Sequence, residues 1–320
     1  MSDRICIILL NWNGKADTIE CLDSLSQLDY KKLSTIVVDN GSTDGSVEAI
    51  RAKHPHTPIF ETNENLGFAG GNNVGIRWAL SKPFQWIFLL NNDTVVAPDI
   101  LRAFMAEAER HPDAKIFGAK LLNYQDRGTI DHLGGRWDET RVEFESLGHG
   151  LPDERCQDST VVDYVCGAGM LVHRSVFETI GLLEPKFFLF WEETDFCFRA
   201  RRKGFLVRTA PQARVWHKVS ASFTGGKPHT HYFWWRSRLL WMERNLAPSE
   251  RQHLMRTVVR PELLKELRHY LLKTGQSFFS RLLGKPVDVQ KLKRLKSGLA
   301  GIRDYYLGKF GNCPKWVVRK

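Results

Sequence analysis

The sequence predicts an α/β fold in which a mostly parallel sheet is sandwiched by helices and followed by a basic helical C-terminal extension. Apolar strand-like runs alternate with helical patterns through the first half of the chain, and this alternation is typical of parallel sheets covered on both faces. Polar residues follow the strands at their carboxyl ends, where ligands bind in such sheets. The last quarter, residues 246–320, carries 17 Lys and Arg against 5 Asp and Glu.

The individual elements follow from hydrophobic periodicity. Buried strands are expected at 5–11, 35–39, 85–90 and 114–122, and helices at 15–27, 44–53, 69–80 and 98–111. Residues 128–152 combine many glycines with mixed charges, which predicts loops or short strands, and 161–174 is strand-like again. Further helices are expected from about residue 193, over 232–245 and through the basic tail after Pro248.

Composition and charge predict two regions. The 320 residues are 42% hydrophobic and 26% charged, as in globular proteins. We expect a main domain over 1–245 and a basic helical region over 246–320. The main domain is nearly neutral, which argues against nucleic acid as a partner. The six cysteines form no CxxC pair, the apolar run 5–10 is too short to span a bilayer, and no small-residue cleavage site follows it. These features predict a cytoplasmic protein.

Asp39 ends the second predicted strand and is followed by Asn-Gly-Ser-Thr-Asp. A carboxylate in this position can accept hydrogen bonds from a ribose or from a base edge. The structural alternative is a turn in which Asp39, Ser42 or Asp44 caps the next helix. The cluster Asn11-Trp12-Asn13 stands at the corresponding end of the first strand.

The stretch 63–73, NENLGFAGGNN, places three glycines at the start of a predicted helix. Glycine permits close approach of the backbone, and the N–H groups at a helix start suit phosphate. The spacing Gly67-x-x-Gly70-Gly71 differs from GxGxxG, which disfavours a nicotinamide or flavin fold. Tight helix packing is the structural alternative.

Asn91-Asn92-Asp93 follows the most apolar strand. Asp93 is a candidate ligand for Mg²⁺ or Mn²⁺, because Mg²⁺ is often held by one or two carboxylates and substrate phosphates. His217, at the end of the strand-like run 213–216, is a candidate second ligand. A strand-end turn and a structural histidine are the alternatives.

Residues 192–195 place three carboxylates, those of Glu192, Glu193 and Asp195, directly after Phe190 and Trp191. Bulky aromatic neighbours can raise the pKa of a carboxyl and so favour a general base. Acidic residues also stabilise the N-terminus of a helix. The two roles are compatible, since a helix start also orients a base.

Together these motifs resemble the family-2 glycosyltransferases of the GT-A fold, particularly the bacterial rhamnosyltransferase-like branch. The matching stretches, in the order typical of that family, are IILLNWNG (7–14), VVDNGSTDGS (37–46), NENLGFAGGNNVG (63–75), LLNNDTVV (89–96), the run from CGAGM to RRKGF (166–205) and ARVWH (213–217). The resemblance covers about residues 5–245. It implies inverting transfer of a sugar from a nucleotide diphosphate donor to an acceptor hydroxyl, with a donor half of about 1–125 and an acceptor half of about 126–245.

The resemblance also implies roles for the residues of the donor half. Asp39 matches the position that contacts the donor nucleoside, and Asn11 lies on the loop that flanks the base. Four further positions are assigned to the donor: Asn65, Gly67, Asn72 and Asn92. Asp93 matches the last residue of the acidic metal-binding triplet. Asn91 stands at its first position, where the family has Asp, so that one charge is missing.

In the acceptor half, the resemblance implies that His217 is the distal metal-ligating histidine. Gly167 and Gly169 match the loop under the donor sugar and the acceptor, to which Trp191 is assigned as well. Glu193 takes the place of the usual Asp as the base. Glu192 and Asp195 remain alternative bases.

The branch that the sequence resembles favours dTDP-rhamnose as the donor and a glycan or polyprenyl-diphosphate-linked glycan as the acceptor, in cell-surface polysaccharide synthesis. The basic tail combines Lys and Arg with leucines at helical spacing, and aromatics occur over 232–241. This pattern predicts peripheral contact with an anionic membrane surface, the inner face of the cell membrane. The alternative is a helical subdomain whose leucines pack on the core.

Two other functions stay open. A catalytically inactive protein that binds a glycan or a nucleotide sugar is compatible with Asn91 and with the Glu-Glu pair. A sugar nucleotidyltransferase would need a basic glycine-rich loop near the N-terminus, whereas Asn11-Trp12-Asn13-Gly14 is followed by the single Lys15.

Overall fold

The computed structural model describes residues 4–218, 227–283, 286 and 288–318. The chain forms two compact units. The first comprises Met1–Trp137, Phe144–Pro185 and Glu192–Val219, and the second comprises Asp138–Glu143, Lys186–Trp191 and Ser220–Lys320. Residues 228–245 therefore group with the C-terminal helices.

The first unit is built on a sheet that has nine strands within the described residues. Its strands are β1 (Ile5–Asn11), β2 (Leu33–Asp39), β3 (Ile59–Glu61), β4 (Trp86–Asn91), β5 (Thr94–Val96), β6 (Ala114–Asn123), β7 (Ile130–His132), β10 (Gly169–His173) and β11 (Leu206–His217). A separate pair is formed by β8 (Gly135–Asp138) and β9 (Glu143–Ser146).

The strand order is β3-β2-β1-β4-β10-β6-β11-β5, with β7 on β6. The pairs from β3 to β4 are parallel, as the alternation of strands and helices predicts. Strand β10 runs antiparallel to both β4 and β6, and β11 is parallel to β6. The sheet is therefore parallel in its first half and mixed in its second.

Helices cover both faces of this sheet. They are α1 (Lys15–Leu25), α2 (Ser46–Lys53), α3 (Gly67–Leu80), α4 (Ile100–Arg110), α5 (Arg174–Ile180) and α6 (Glu192–Arg202). Alternate residues of β1 point to opposite faces, because side chains alternate along a strand. Ile7 joins the cluster that includes Leu22 of α1 and Phe104 of α4, and Ile8 joins the cluster with Ile76 of α3. The predicted sandwich is confirmed.

Two glycines of α3 let this helix pack very close to β1. A Cβ on Gly71 would lie 2.4 Å from Leu10 Cδ1, and a Cβ on Gly75 would lie 2.7 Å from Ile8 Cγ2. The structural alternative for the glycine-rich stretch thus holds for Gly71. Gly67 has a different requirement, since its φ of +74° lies in the left-handed region.

The expected elements of the first half agree with the structure to within a few residues. The exception is the strand-like run 161–174, of which only the part from Gly169 to His173 forms a strand. Residues 163–168 instead form a connection to β10, with Val161 in an isolated bridge to Arg208.

The second unit is helical. Its helices are α7 (Pro228–Asn245), α8 (Pro248–Leu254), α9 (Arg260–Leu282), α10 (Val289–Tyr306) and α11 (Lys315–Val318), with a π-helical turn at Met255–Val259. Tyr232, Phe233, Trp235 and Trp241 of α7 are all buried, so these aromatics of the stretch 232–241 form the core of the unit.

Helix α9 carries an exposed apolar face. Leu264, Leu267 and Leu271 are 67%, 42% and 60% exposed, and Phe278 and Leu282 are exposed as well. At 100° per residue these five side chains lie on one side of the helix. Leu254 of α8, by contrast, is buried. Within the described residues, no helix is both long enough and apolar enough to span a bilayer.

Candidate active site

The ends of three parallel strands bring predicted site residues to one edge of the sheet in the first unit. Asn11 pairs in register with Asp39, and Leu10 pairs with Asn91. At the start of the antiparallel β10, Gly169 pairs with Leu90 at the same edge. The polar clusters after β1, β2 and β4 are far apart in the sequence but are neighbours here.

Asn11 is fully buried and connects the loops that follow these strands. Its Nδ2 donates to Asp39 Oδ1 at 2.7 Å and to Ser42 Oγ at 3.1 Å. Its Oδ1 accepts from Gly14 N–H at 3.2 Å, from the Thr18 hydroxyl at 2.8 Å and from Asn92 Nδ2 at 3.3 Å. Because its side-chain amide is used inside the protein, Asn11 acts by positioning these loops.

Asp39 is 3% exposed and also belongs to a turn. Its Oδ2 accepts from the Ser42 backbone N–H at 3.0 Å, which is the turn expected after β2. A carboxylate offers about four lone-pair sites, and the contacts with Asn11 and Ser42 use two of them. The turn therefore leaves Asp39 able to accept further hydrogen bonds from a ligand.

The glycine-rich stretch is shaped by Asn40, which the sequence analysis did not assign to the site. Asn40 Oδ1 accepts from Leu66 N–H at 2.9 Å, and its Nδ2 donates to Asn65 Oδ1 at 3.2 Å and to Gly67 O at 3.1 Å. Asn65 Oδ1 in turn accepts from Gly67 N–H at 2.8 Å. Asn65 and Gly67 thus form a fixed loop beside the end of β2.

Asn72 lies inside α3 and is 2% exposed. Its Nδ2 donates to the Phe68 carbonyl of the same helix at 3.0 Å. The neighbouring Asn73 forms two hydrogen bonds with the backbone of Leu183, at 2.8 and 3.1 Å. The hydrogen bonds of this Asn pair therefore serve the fold, although the resemblance assigns Asn72 to the donor.

Asp93 and His217 face each other where β5 pairs with β11. His217 Nε2 lies 3.4 Å from Asp93 Oδ1, and His217 Nδ1 lies 3.4 Å from Asp131 Oδ2. Asp93 and His217 are 5% and 8% exposed. The sequence did not indicate Asp131 as a site residue, because it stands in the stretch 128–152, whose hydrophobic periodicity is weak.

The chemistry of this pair fits a divalent cation. His217 Nε2 is buried, lacks a well-formed hydrogen bond within the described residues, and faces a carboxylate oxygen. Carboxylates and neutral imidazole are both ligands of divalent metals. No group of three or more His, Cys, Asp and Glu side chains in the described part of the chain forms a complete cation site. A cation held by Asp93 and His217 would therefore need further ligands, such as substrate phosphate oxygens.

The two asparagines before Asp93 differ in their contacts. Asn92 Nδ2 donates to Thr18 Oγ1 at 2.9 Å as well as to Asn11, so it is turned into the loop network. Asn91 anchors the strand end through its backbone, whose N–H donates to Ala168 O at 3.1 Å. Thr18 is a second site residue that the sequence did not indicate, because it stands on a predicted helix and outside the polar clusters.

Charge and burial compete at His217. Burial disfavours its charged ring, but the carboxylates of Asp131 and Asp93 outweigh burial and raise the pKa of His217 to about 9. Burial likewise disfavours ionised Asp131, and the contact with His217 outweighs it and keeps the pKa of Asp131 below its usual value. A cation that binds Nε2 must therefore displace a proton.

Glu193, in the first turn of α6, is joined to the end of β4 by the loop 166–168. The Gly167 backbone N–H lies near the Glu193 carboxylate and favours its ionised form, and a Cβ on Gly167 would lie 3.8 Å from Glu193 Cβ. The next residue, Ala168, accepts the hydrogen bond from Asn91 N–H. Gly167 also packs against Phe68, since a Cβ there would lie 3.0 Å from that ring.

The adjacent carboxyls of Glu192 and Glu193 are both desolvated. Burial raises the pKa of each, and the neighbouring Glu193 charge raises the pKa of Glu192 further. The Oε2 atom of each has no hydrogen-bond partner within the described residues. Glu192 is 3% exposed, whereas Glu193 is partly exposed. A raised pKa suits a proton acceptor at neutral pH, and Glu193 is the less buried residue of the two.

Asp195 is engaged in an ion pair. It is fully buried, and its Oδ2 accepts from Arg199 Nε at 2.8 Å. Arg199 also donates to the carbonyls of Ile180 and Leu182. Asp195 therefore anchors α6 to the segment after α5, which fits a structural role better than that of a base.

The other two residues assigned to the acceptor lie in different surroundings. Gly169 is packed in the sheet, where a Cβ would lie 3.0 Å from Ala119 Cβ. Trp191 belongs to the second unit, is 8% exposed and packs against Trp241 with ring centroids 5.7 Å apart. Its φ of +72° is strained for a bulky residue.

Comparison with known proteins gives one family match. Residues 6–181 match the model described as Glycosyl transferase family 2. The chain is 26% identical over 313 residues to the N-acetylglucosaminyl-diphospho-decaprenol L-rhamnosyltransferase of Mycobacterium tuberculosis, covering 85% of this chain and 98% of that protein. It is 21% identical over 256 residues to the dTDP-rhamnosyl transferase RfbF of Shigella flexneri, covering 78% and 83%.

A solved structure with a similar fold is the mannosyltransferase PcManGT from Pyrobaculum calidifontis in complex with GDP-Man and Mn²⁺. The TM-score is 0.58 at 15% identity, and the match covers 97% of this chain and 88% of that one. At this identity the likeness concerns the fold alone.

Proposed function

Since the chain belongs to glycosyl transferase family 2 and is a glycosyltransferase, we propose that it is an inverting enzyme of cell-surface polysaccharide synthesis. It moves a sugar, with L-rhamnose favoured, from a nucleotide diphosphate donor to a hydroxyl of a glycan or lipid-linked glycan. The relatives named for rhamnosyl transfer support this sugar, and the name of the Shigella protein supports dTDP-rhamnose as the donor.

The observation that carries this proposal is a continuous set of contacts along one sheet edge. Asp39 is joined through Asn11 to Asn92, the neighbour of Asp93. The end of β4 forms a hydrogen bond with the loop 166–168, and Gly167 of this loop lies against Glu193. Asp39 at the end of β2, Asp93 after β4 and Glu193 at the start of α6 are thus linked by one set of contacts, which supports their roles as nucleoside contact, diphosphate contact and base.

In the donor half, Asp39 accepts hydrogen bonds from the nucleoside. Its carboxylate is held by Asn11 and Ser42, so little conformational freedom is lost when the nucleoside binds. The loop formed by Asn65 and Gly67 lies beside it and approaches the donor with its backbone. Such preorganisation lowers the cost of holding the donor in line with the acceptor.

Asp93 and His217 would hold Mg²⁺ or Mn²⁺, and Asp131 would orient the His217 ring. When bound, such a cation neutralises charge that develops on the departing diphosphate. The missing charge at Asn91 makes the binding of the cation dependent on the donor phosphates. The similarly folded PcManGT was solved with GDP-Man and Mn²⁺, which supports this assignment.

Glu193 takes the proton of the acceptor hydroxyl as that oxygen attacks the anomeric carbon. The new C–O bond forms on the face opposite to the bond that breaks, and the nucleoside diphosphate leaves with the electron pair. This single displacement inverts the anomeric configuration. The charge of Glu193 raises the pKa of the adjacent Glu192 further, which leaves Glu193 as the carboxyl of the pair that ionises more easily.

The acceptor that we favour is linked to a polyprenyl diphosphate, which resides in a membrane. The apolar face of α9, with Leu264, Leu267 and Leu271 exposed, would insert at the interface, and Lys and Arg of the tail would contact anionic headgroups. This surface would hold the enzyme, as a peripheral protein on the inner face of the cell membrane, where its acceptor is found.

Turnover of nucleotide sugars by the full chain tests the proposal. We expect dTDP-rhamnose, with Mn²⁺ and a synthetic polyprenyl-diphosphate-linked N-acetylglucosamine, to yield a rhamnosylated lipid whose anomeric configuration is inverted by NMR. The Glu193→Gln variant should bind the donor without turnover. Binding without turnover by the unaltered chain would favour the inactive binding protein. Formation of a nucleotide sugar from a sugar phosphate would favour the nucleotidyltransferase.

A further inference from the structure

A cavity of about 660 Å³ lies within the second unit and is used by none of the roles described above. Its walls come from α7, α9 and α10 and from the short segment Asp138–Glu143. The lining consists of two tryptophans surrounded by polar and charged residues. The residues are Glu143, Thr230, His231, Trp234, Trp235, Glu262, Lys265, Glu266, His269 and Arg294.

Trp234 offers this cavity a rigid aromatic surface. The Arg238 guanidinium stacks on its ring at 4.7 Å from the centroid. Arg238 is itself fully buried and fixed, since it donates to Val142 O at 2.9 Å, to Arg141 O at 2.7 Å and to Glu262 Oε2 at 2.5 Å. The indole is therefore held in place before any ligand binds, and it remains partly exposed.

Hydrogen-bonding groups of both kinds line the cavity around this surface. Helix α9 contributes Glu262, Lys265, Glu266 and His269 at helical spacing, on the side opposite to its exposed leucines. Glu266 Oε2 lies 3.5 Å from His231 Nε2, and this contact outweighs the effect of burial and holds the pKa of Glu266 below its usual value. Three carboxylates face Lys265, Arg294 and two histidines, so the lining is nearly balanced in charge.

We propose that this cavity is a saccharide-binding site, separate from the residues of the transfer reaction. The C–H groups of a sugar ring pack on the negatively polarised face of an indole. Sugar hydroxyls both donate and accept, which matches a lining that has carboxylates beside ammonium, guanidinium and imidazole groups. A phosphate or nucleotide suits it less well, because Glu143, Glu262 and Glu266 would repel the phosphate. The binding of a saccharide in this cavity is inferred independently of the proposed function, and only the choice of glycosides for the test rests on that function.

Saturation-transfer difference NMR on the full chain tests this site without any donor or turnover. The probes are the methyl glycosides of L-rhamnose, N-acetylglucosamine, galactose, mannose and glucose, with dTDP and inorganic phosphate as separate arms. We expect at least one glycoside to receive saturation on its ring C–H protons. Trp234→Ala should weaken its binding by about tenfold or more, since truncated aromatic anchors cost that much. Trp316→Ala, a partly buried tryptophan of the same unit outside the cavity, should leave binding unchanged.

Exposed residues of the lining provide a second set of variants that leaves the core of the unit intact. His269→Ala and Arg294→Ala should each weaken the same glycoside, and their melting temperatures should equal that of the unaltered chain. Turnover of the donor without acceptor should be unaffected in all of these variants. The proposal is overturned if no glycoside binds, or if the variants of Trp234, His269 and Arg294 bind the glycoside as well as the unaltered chain does. It is also overturned if dTDP or phosphate alone binds in a Trp234-dependent way. Loss of turnover with intact glycoside binding would count against the transferase proposal alone.

Discussion

The side-chain amide of Asn11 donates a 2.7 Å hydrogen bond to Oδ1 of Asp39 inside the first unit. Asn11 is fully buried and Asp39 is nearly so. The pair therefore fixes the carboxylate that we assign to the donor nucleoside.

Replacing Asn11 with Ala should destabilise the protein and weaken nucleotide binding together. The change removes the hydrogen bonds of Asn11 to Asp39 Oδ1 and to the Thr18 hydroxyl, and a buried polar atom that loses its partner costs about 1–3 kcal/mol. Urea unfolding and calorimetric titration with dTDP measure the two effects. Gln27→Ala, at an exposed position, is the control. Unchanged stability and affinity in Asn11→Ala would contradict the positioning role.

Asp131 should tune the affinity for a divalent cation. Its carboxylate lies 3.4 Å from His217 Nδ1, and loss of such an outer partner lowers metal affinity by about 10–100-fold. Asp131→Asn should therefore need more Mn²⁺ for half-maximal turnover and recover much of its activity at saturation. Asp113→Asn, on the exposed surface, should behave like the unaltered chain. An unshifted Mn²⁺ response in Asp131→Asn would remove His217 from the proposed site.

The paired glutamates predict the pH dependence of turnover. The base must be ionised, and burial raises the pKa of both Glu192 and Glu193. As the pH is lowered, activity should therefore be lost at a higher pH than about 4.3, the pKa of an exposed glutamate. Because burial raises the pKa of Glu193, whereas it is Glu192 that feels the charge of its neighbour, Glu192→Gln should leave this limb of kcat/KM in place while turnover persists. Glu193→Gln should abolish turnover.

The matched control for the pH profile is Glu109→Gln, at an exposed position on α4, which should leave the profile unchanged. The opposite pattern, in which Glu192→Gln is inactive and Glu193→Gln keeps a normal profile, would transfer the base to Glu192. Activity of both variants within about threefold of the unaltered chain would contradict a base in this pair.

The apolar face of α9 predicts binding to anionic vesicles. Leu264 and Leu271 are more than half exposed, so Leu264→Glu with Leu271→Glu should cost little stability but oppose insertion and headgroup attraction. Flotation with phosphatidylglycerol-containing vesicles at low salt should fall by about tenfold or more. The control is Leu307→Glu, which is similarly exposed but lies outside α9. Equally poor flotation of the unaltered chain would contradict membrane contact.

Much of the first unit could be predicted from the sequence because β1, β2 and β4 are continuous apolar runs that end at polar clusters. The bounds of β1 agree with the structure, and the parallel register then brings Asn11, Asp39 and Asn91 together. Asp131 could not be found in this way. It reaches His217 through strand β7, which is three residues long and gives no periodic signal.

The aromatics of α7 illustrate a different limit. Tyr232, Phe233, Trp235 and Trp241 are compatible with a membrane interface by composition, but they occur on several sides of the helix and thus reveal no single exposed face. The structure buries all four. The leucines of α9, by contrast, recur on one side of the helix. The sequence therefore predicts an apolar face, but it does not decide whether this face packs on a core or is exposed to solvent.

The central claim is that Asp39, Asp93 and Glu193 act around one bound donor. A crystal structure of the full chain with dTDP and Mn²⁺ tests it most directly. We predict the thymidine at Asp39, a cation on Asp93 and His217 that also contacts the diphosphate, and the Glu193 carboxylate open toward the diphosphate. A nucleotide bound away from the ends of β1, β2 and β4, or a cation held by other residues, would contradict the claim.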